Sequence, residues 1–350
     1  MPQPPAAGLP QAPFETYAPP RPRRGASQGP ISPRKGPVRS HGKRKRRVSV
    51  LAVLILLIGF GAVGAGLRFI PGAPFAPTAG GPGGSQNEPT PTPEPTPEPL
   101  PFTVEEVSLP DLGTGGFLSW AIMDRRSGEI WGSKNMNATT WTASMIKGWL
   151  AADYLRRADE ANRKPTTSQL HMLEIMIRDS DNNAATSTYN ANGKSASTKR
   201  LISLCKLTDS KSSTEGWGLT SLSARDTVRM ADCIANGTAA GEEWTPWLLD
   251  MMRKVRGIGD FGPRKVLPES EQGKVAIKNG WLPFSDDHMW HVNCMAIGDT
   301  WAMAVLLRYR SASYPGEGNW DVELPRGQNY CQMVAQQLVN TDIPEPSSTP

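Results

Sequence analysis

Cysteine is scarce in this chain of 350 residues: Cys205, Cys233, Cys294 and Cys331 are the only four, and no two are spaced as CxxC. That spacing is what a zinc ligand set would need, so its absence argues against a zinc site. Histidine is equally sparse. His288 and His291 stand beside Asp286 and Asp287, but an HxxH spacing on a loop or strand start does not bring two rings to one ion. No metal and no cofactor are expected. Acidic residues are almost missing from positions 1–47, which hold eleven Lys and Arg against Glu15 alone, whereas positions 48–350 hold 27 basic and 32 acidic residues. The net charge of +5 therefore belongs to a tail, which argues against a nucleic-acid-binding domain. Charge is absent altogether from residues 48–67, VSVLAVLILLIGFGAVGAGL.

Twenty apolar residues in a helix extend about 30 Å, the thickness of a bilayer's hydrocarbon core. Lys43, Arg44, Lys45, Arg46 and Arg47 directly precede them, and positive residues stay on the cytoplasmic side. The expectation is a single-pass membrane protein with a cytoplasmic N-terminus and an extracytoplasmic remainder. Proline sharpens the division. Eleven of the 33 prolines fall in residues 1–47 and another eleven in 71–101, so neither stretch can build a packed core. The organisation that follows is a disordered basic tail (1–47), a transmembrane helix (48–70), a Pro-rich linker (71–102), a folded domain (103–342) and a short disordered tail (343–350). PTPTPEPTPEPLP reads as a polyproline II spacer. Outside the membrane disulfides persist. Pairing of Cys205 with Cys233 and of Cys294 with Cys331 is expected, because each pair joins segments expected to pack together.

Periodicity predicts strands at 116–124 and 129–134, and helices from 142 to about 161, after the cap Thr166, at 199–207 and at 223–236. Strands follow at 274–278, 290–297 and 301–309, then a closing helix over about 330–339. Strands, helices, strands and a last helix imply an antiparallel sheet built from both chain ends, with a helical insert of about 146–268 between them.

One tetrad then stands out, Ser144-Met145-Ile146-Lys147. Ser and Lys three apart on a helix share a face, so the amine can take the proton that makes the hydroxyl a nucleophile. SxxK by itself means little, since it recurs at Ser32, Ser40 and Ser203. Its company is more specific: Ser180-Asp181-Asn182 follows 36 residues later, and Lys278-Asn279-Gly280-Trp281 follows on a late strand. In this order the motifs resemble those of the serine β-lactamase and penicillin-binding-protein superfamily, S-x-x-K, S-D-N and K-[TS]-G, most of all its class A β-lactamase branch.

The resemblance covers about residues 103–342. It implies an α+β fold of three layers, α/β/α, of the β-lactamase/transpeptidase-like type. It also implies a serine hydrolase acting by acyl transfer on β-lactams or D-Ala-D-Ala-type peptidoglycan peptides. Ser144 would be the nucleophile, Lys147 its proton acceptor, Ser180 the relay to the leaving nitrogen, and Lys278 the source of positive potential. Asn182, Asn279, Gly280 and Trp281 would meet the substrate, with the Ser144 and Trp281 amides as oxyanion hole. Two departures matter. Asn279 stands where a Thr or Ser hydroxyl would bind a substrate carboxylate. The stretch 208–220 holds only Asp209 and Glu215 and lacks an E-x-x-L-N pattern, so Glu215 is the one acid left to consider as deacylating base. Without such a base the chain reads as a penicillin-binding carboxypeptidase or a sensor of β-lactams or muropeptides.

Overall fold

The computed structural model describes residues 99–103, 106–316 and 318–339, all within one compact unit that begins at Pro89. The expected basic tail, membrane helix, most of the linker and the tail 343–350 lie outside the described residues. Among the described residues no helix is long and apolar enough to cross a membrane.

The chain enters through β1 (Phe117–Asp124) and β2 (Ile130–Gly132), an antiparallel pair turned at Gly128. After β3 (Thr139–Trp141) come α1 (Lys147–Glu160), α2 (Thr167–Arg178), α3 (Asn182–Ala191) and α4 (Ser195–Leu204). β4 (Ser221–Ser223) returns to pair with β3. It leads into α5 (Ala224–Ala235), α6 (Thr245–Arg253) and the single turn α7 (Glu269–Gln272). The chain closes with β5 (Ala276–Ile277), β6 (Gly280–Phe284), β7 (Met289–Ile297), β8 (Trp301–Tyr309) and α8 (Trp320–Leu338).

β1 lies against β8 over its whole length, from Phe117 opposite Arg308 to Asp124 opposite Trp301, so the two chain ends share one antiparallel sheet as expected. Its order is β2-β1-β8-β7-β5, and β6 continues the β5 edge along β7. Alternation along β7 sends neighbouring side chains to opposite faces. Cys294 bonds to Cys331 of α8, and Gly327 lets α8 settle on Tyr309 and Val292. On the other face Met295 and Ile234 of α5 close on Gly148 of α1, at 3.6 and 3.5 Å from where a side-chain carbon would stand. The sheet is thus a middle layer between α8 and α1 with α5. The other expected disulfide, Cys205–Cys233, ties α4 to α5.

The helical insert is richer than the periodicity predicts. α3 (NNAATSTYNA) has no apolar stripe to announce it; the Asp181 carboxylate caps it by accepting from Ala184 N at 2.6 Å, and its small buried face is Ala184, Ala185, Thr188 and Tyr189. α6 also went unread. α8 starts ten residues before expectation, because Pro325 reads as a helix breaker yet sits only in the second turn, where it costs one backbone bond. Asn319 caps the first turn, and Glu323 fixes the helix start to Ala312 N and Arg326. β6 is a further strand where the reading ends at 278: Lys278 and Asn279 interrupt the edge, and it resumes at Gly280 in the same register on β7.

A buried carboxylate welds the insert together. Asp153 of α1, wholly out of solvent, accepts from Ser197 Oγ at 2.7 Å and pairs with Arg156 and Arg200 at 2.6 and 2.5 Å. Removing one member of such a cluster strands the rest. Asp153→Ala is expected to lower the unfolding free energy by about 3 kcal/mol in urea titration; a loss below about 0.5 kcal/mol would show that solvent replaces the carboxylate.

Candidate active site

Ser144 lies on the 3-10 turn Ala143–Ile146 that opens into α1. Ala143 just before it is held at φ +45°, a strained conformation for a residue with a side chain. The turn is pinned by Thr142 N donating to Thr220 O at 3.0 Å and Met145 N donating to Thr142 O at 3.1 Å. From the other side β6 presses on it through Gly280. A side-chain carbon there would stand on the Thr142 carbonyl oxygen, 2.5 Å from Met145 N and 2.8 Å from Ser144 N. Only glycine permits that approach.

The three motifs converge below this turn. Lys147, with no exposed surface, donates to Ser180 O at 2.5 Å, Asn182 Oδ1 at 2.8 Å and Ser180 Oγ at 3.2 Å. Lys278, equally buried, donates to the same Ser180 Oγ and to Asn279 O, each at 3.1 Å. One hydroxyl therefore bridges two buried amines. Ser180 reaches it through φ +59°, between the end of α2 and the Asp181 cap of α3. Burial drives the Lys147 amine well below its ordinary value, the neighbouring Lys278 pushes the same way, and Asp181 partly opposes them. Burial alone brings Lys278 down to about 7. Ser144 is half-buried, and its Oγ has no hydrogen-bond partner among the described residues. The amine one turn onward is committed to Ser180 and Asn182 instead.

Other expected residues divide. Asn182 is exposed, and its Nδ2 is uncommitted among the described residues. Lys278 N donates to Met295 O, so ladder alternation turns the Trp281 amide away from β7 toward the open edge beside the Ser144 turn. The Trp281 ring packs on Phe261 and Gly259, with its centroid 5.9 Å from Lys278 Nζ. Asn279 requires a correction. Its side chain is fully buried, both Nδ2 hydrogens go to Gly259 O and Phe261 O at 3.0 and 2.8 Å, and Oδ1 accepts from Met295 N at 3.2 Å. The amide fills the gap between β5 and β6 and is closed to a substrate carboxylate. Glu215 is exposed. The residue of its loop that meets the lysine is Trp217, whose ring centroid lies 4.9 Å from Lys147 Nζ. Sequence reading overlooked Trp217; its place two residues beyond Glu215, in the segment where a base was sought, was the available signal.

His291 serves packing. Its buried ring joins Thr140 Oγ1 at 2.9 Å to Asp287 Oδ2 at 2.8 Å and stacks on Trp141, and burial keeps it below the usual imidazole range. Among the described residues no cluster of His, Cys, Asp and Glu is placed to hold a metal ion.

No protein-family model matches the chain. Among solved structures it is similar to a β-lactamase from Xanthomonas campestris pv. campestris, at TM-score 0.50 and 18% identity over 64% of this chain and 91% of that one. It is similar also to the TLA-3 extended-spectrum β-lactamase, at TM-score 0.50 and 14% identity over 63% and 92%. Among curated proteins it is 25% identical over 203 residues to "Putative lipoprotein LppW" of Mycobacterium tuberculosis and of Mycobacterium bovis. That alignment takes in 57% of this chain and 64% of those relatives' length.

The depressed amines make stability depend on pH with a definite sign. Below about 7 folded and unfolded chains both carry the Lys278 charge, and the burial penalty is felt in full. From about 7 up to the ordinary 10.5 the unfolded chain holds a proton that the fold has shed, so stability rises with pH. Denaturant midpoints should increase between pH about 7 and about 9.5, and Lys278→Met should flatten the rise. An equal rise in the variant would remove Lys278 as its source.

Proposed function

We propose that this chain, which has the fold of the class A β-lactamases, is a serine hydrolase that transfers acyl groups through Ser144. The observation that carries the reading is the Ser180 hydroxyl held between two buried amines beneath the Ser144 turn. In the reaction Ser144 Oγ bonds to the substrate carbonyl carbon while its proton passes to neutral Lys147. The Ser144 and Trp281 amides, the first at a helix N-terminus, receive the oxyanion. As the C–N bond breaks, the leaving nitrogen takes the Ser180 proton, and the Lys147 ammonium makes good that proton. Burial keeps Lys147 neutral beforehand, and the like charge of Lys278 adds to it. Asn182 offers its free Nδ2 to the substrate's amide side chain.

The substrates proposed are β-lactams or D-Ala-D-Ala-type peptidoglycan peptides. A second reading, a penicillin-binding carboxypeptidase or a sensor whose acyl-enzyme persists, is favoured by Trp217 standing at Lys147 and by the closed Asn279. An extracytoplasmic, membrane-tethered location rests on the uncharged stretch 48–67, and the name of the mycobacterial relative accords with an envelope setting.

Intact-mass analysis of the full chain incubated with benzylpenicillin tests the chemistry. An adduct on Ser144 is expected, lost in Ser144→Ala and formed about 10²–10⁴-fold more slowly in Ser180→Ala. An adduct of undiminished yield in Ser144→Ala would end this reading.

A further inference from the structure

The structure assigns Trp217 a role that neither motif nor relative announces: it sets how long the acyl-enzyme lasts by walling the Lys147 amine off from water. The inference rests on the acyl transfer proposed for Ser144 and concerns the step after it. In hydrolysis a water oxygen attacks the ester carbon, its proton passes to a base, the bond from carbon to Ser144 Oγ breaks, and Oγ takes up a proton. The base present in the pocket is Lys147, so the attacking water has to stand against its amine.

That position is occupied. Lys147 has no exposed surface, Ser180 and Asn182 take its hydrogen bonds, and the Trp217 indole lies over it. The indole is fixed rather than draped. Its Nε1 donates to Thr186 Oγ1 of α3 at 3.4 Å, and Gly218 seats the 3-10 turn Trp217–Leu219 directly on Ala143, 3.6 Å from where a side-chain carbon would be.

The loop leading to it is anchored as firmly. The buried Asp226 carboxylate accepts from Thr208 N at 3.1 Å, Asp209 N at 2.7 Å and Ser210 Oγ at 2.7 Å. Lys211 and Ser221 exchange backbone bonds of 2.9 Å. Asp209 is no substitute base, being held by Arg225 at 2.6 Å and Ser223 Oγ at 2.8 Å. Ser144 sits one turn before Lys147 on the same helical entry, so acylation uses a group the chain itself carries beside the amine, whereas hydrolysis has to bring in a water past the ring.

Two measurements on the full chain, with Trp217→Ala and Trp217→Phe checked for cooperative unfolding, test this. In the first, excess benzylpenicillin is removed and the adduct followed by intact mass. Trp217→Ala should shorten the adduct half-life at least about tenfold and change the acylation rate by a smaller factor, whereas Trp217→Phe, which keeps a ring over the amine, should retain a long half-life. An unchanged half-life in Trp217→Ala, or a phenylalanine variant that behaves like the alanine one, overturns the inference. In the second, acetic anhydride labelling of Lys147 is read by peptide mass. It should quicken in Trp217→Ala and stay slow in Trp217→Phe; equal labelling in all three overturns the inference. This readout needs no acyl-enzyme, so a wild type that forms no adduct would sink the acyl-transfer proposal and the lifetime role with it, while the labelling still decides whether Trp217 shields the Lys147 amine.

Discussion

Two lysine amines share one serine hydroxyl in the interior, and that single arrangement constrains everything around it. An ammonium taken out of water costs several kcal/mol, and a second one two hydrogen bonds away adds repulsion. The fold offers little to neutralise them: Asp181 acts on Lys147 from a distance, and the direct partners of both amines are carbonyl, amide and hydroxyl oxygens. The economical state sheds protons. A neutral amine beside a serine turn is chemically a base, so the energetic burden and the reactivity are one fact seen from two sides.

The scaffold spends further free energy to keep that state. Ala143 and Ser180 both carry positive φ without being glycine, at about 1–3 kcal/mol each, the first immediately before the Ser144 tetrad and the second inside Ser180-Asp181-Asn182. What over-determines them is close packing. Gly280 pushes β6 onto the Ser144 turn, the β3–β4 pair braces it from behind, and the Asp181 cap fixes the residue next to Ser180. Asn279 carries the β5–β6 edge across its break by lending its side chain as a substitute backbone. The sheet, locked to α8 through Cys294–Cys331, supplies the rigid floor.

The convergence of the motif residues was more legible in the sequence than the packing around them. Ser144, Lys147, Ser180 and Lys278 could be picked out because a hydroxyl needs a base and because their order along the chain is specific. The apolar strands β1, β7 and β8 announced themselves by composition. α3 did not, being small and polar, with its helicity conferred by a cap and by tertiary contact. Asn279 was misread for a related reason: an amide serves a ligand and a strand break equally well, and only its hydrogen-bond partners decide. Trp217 offered only its place two residues beyond Glu215, since an aromatic in a loop has no spacing to betray it; its meaning comes from the lysine that the fold places beneath it.

The most direct test of this account is the protonation of the two amines themselves, followed by nitrogen-15 NMR of the lysine Nζ groups with Lys147 and Lys278 assigned through single Lys→Arg variants. The account requires Lys278 to titrate near 7 and Lys147 well below the ordinary lysine range. Two signals that stay protonated up to the ordinary 10.5 would mean that the buried pair is simply cationic, and the base assigned to Ser144 would not exist.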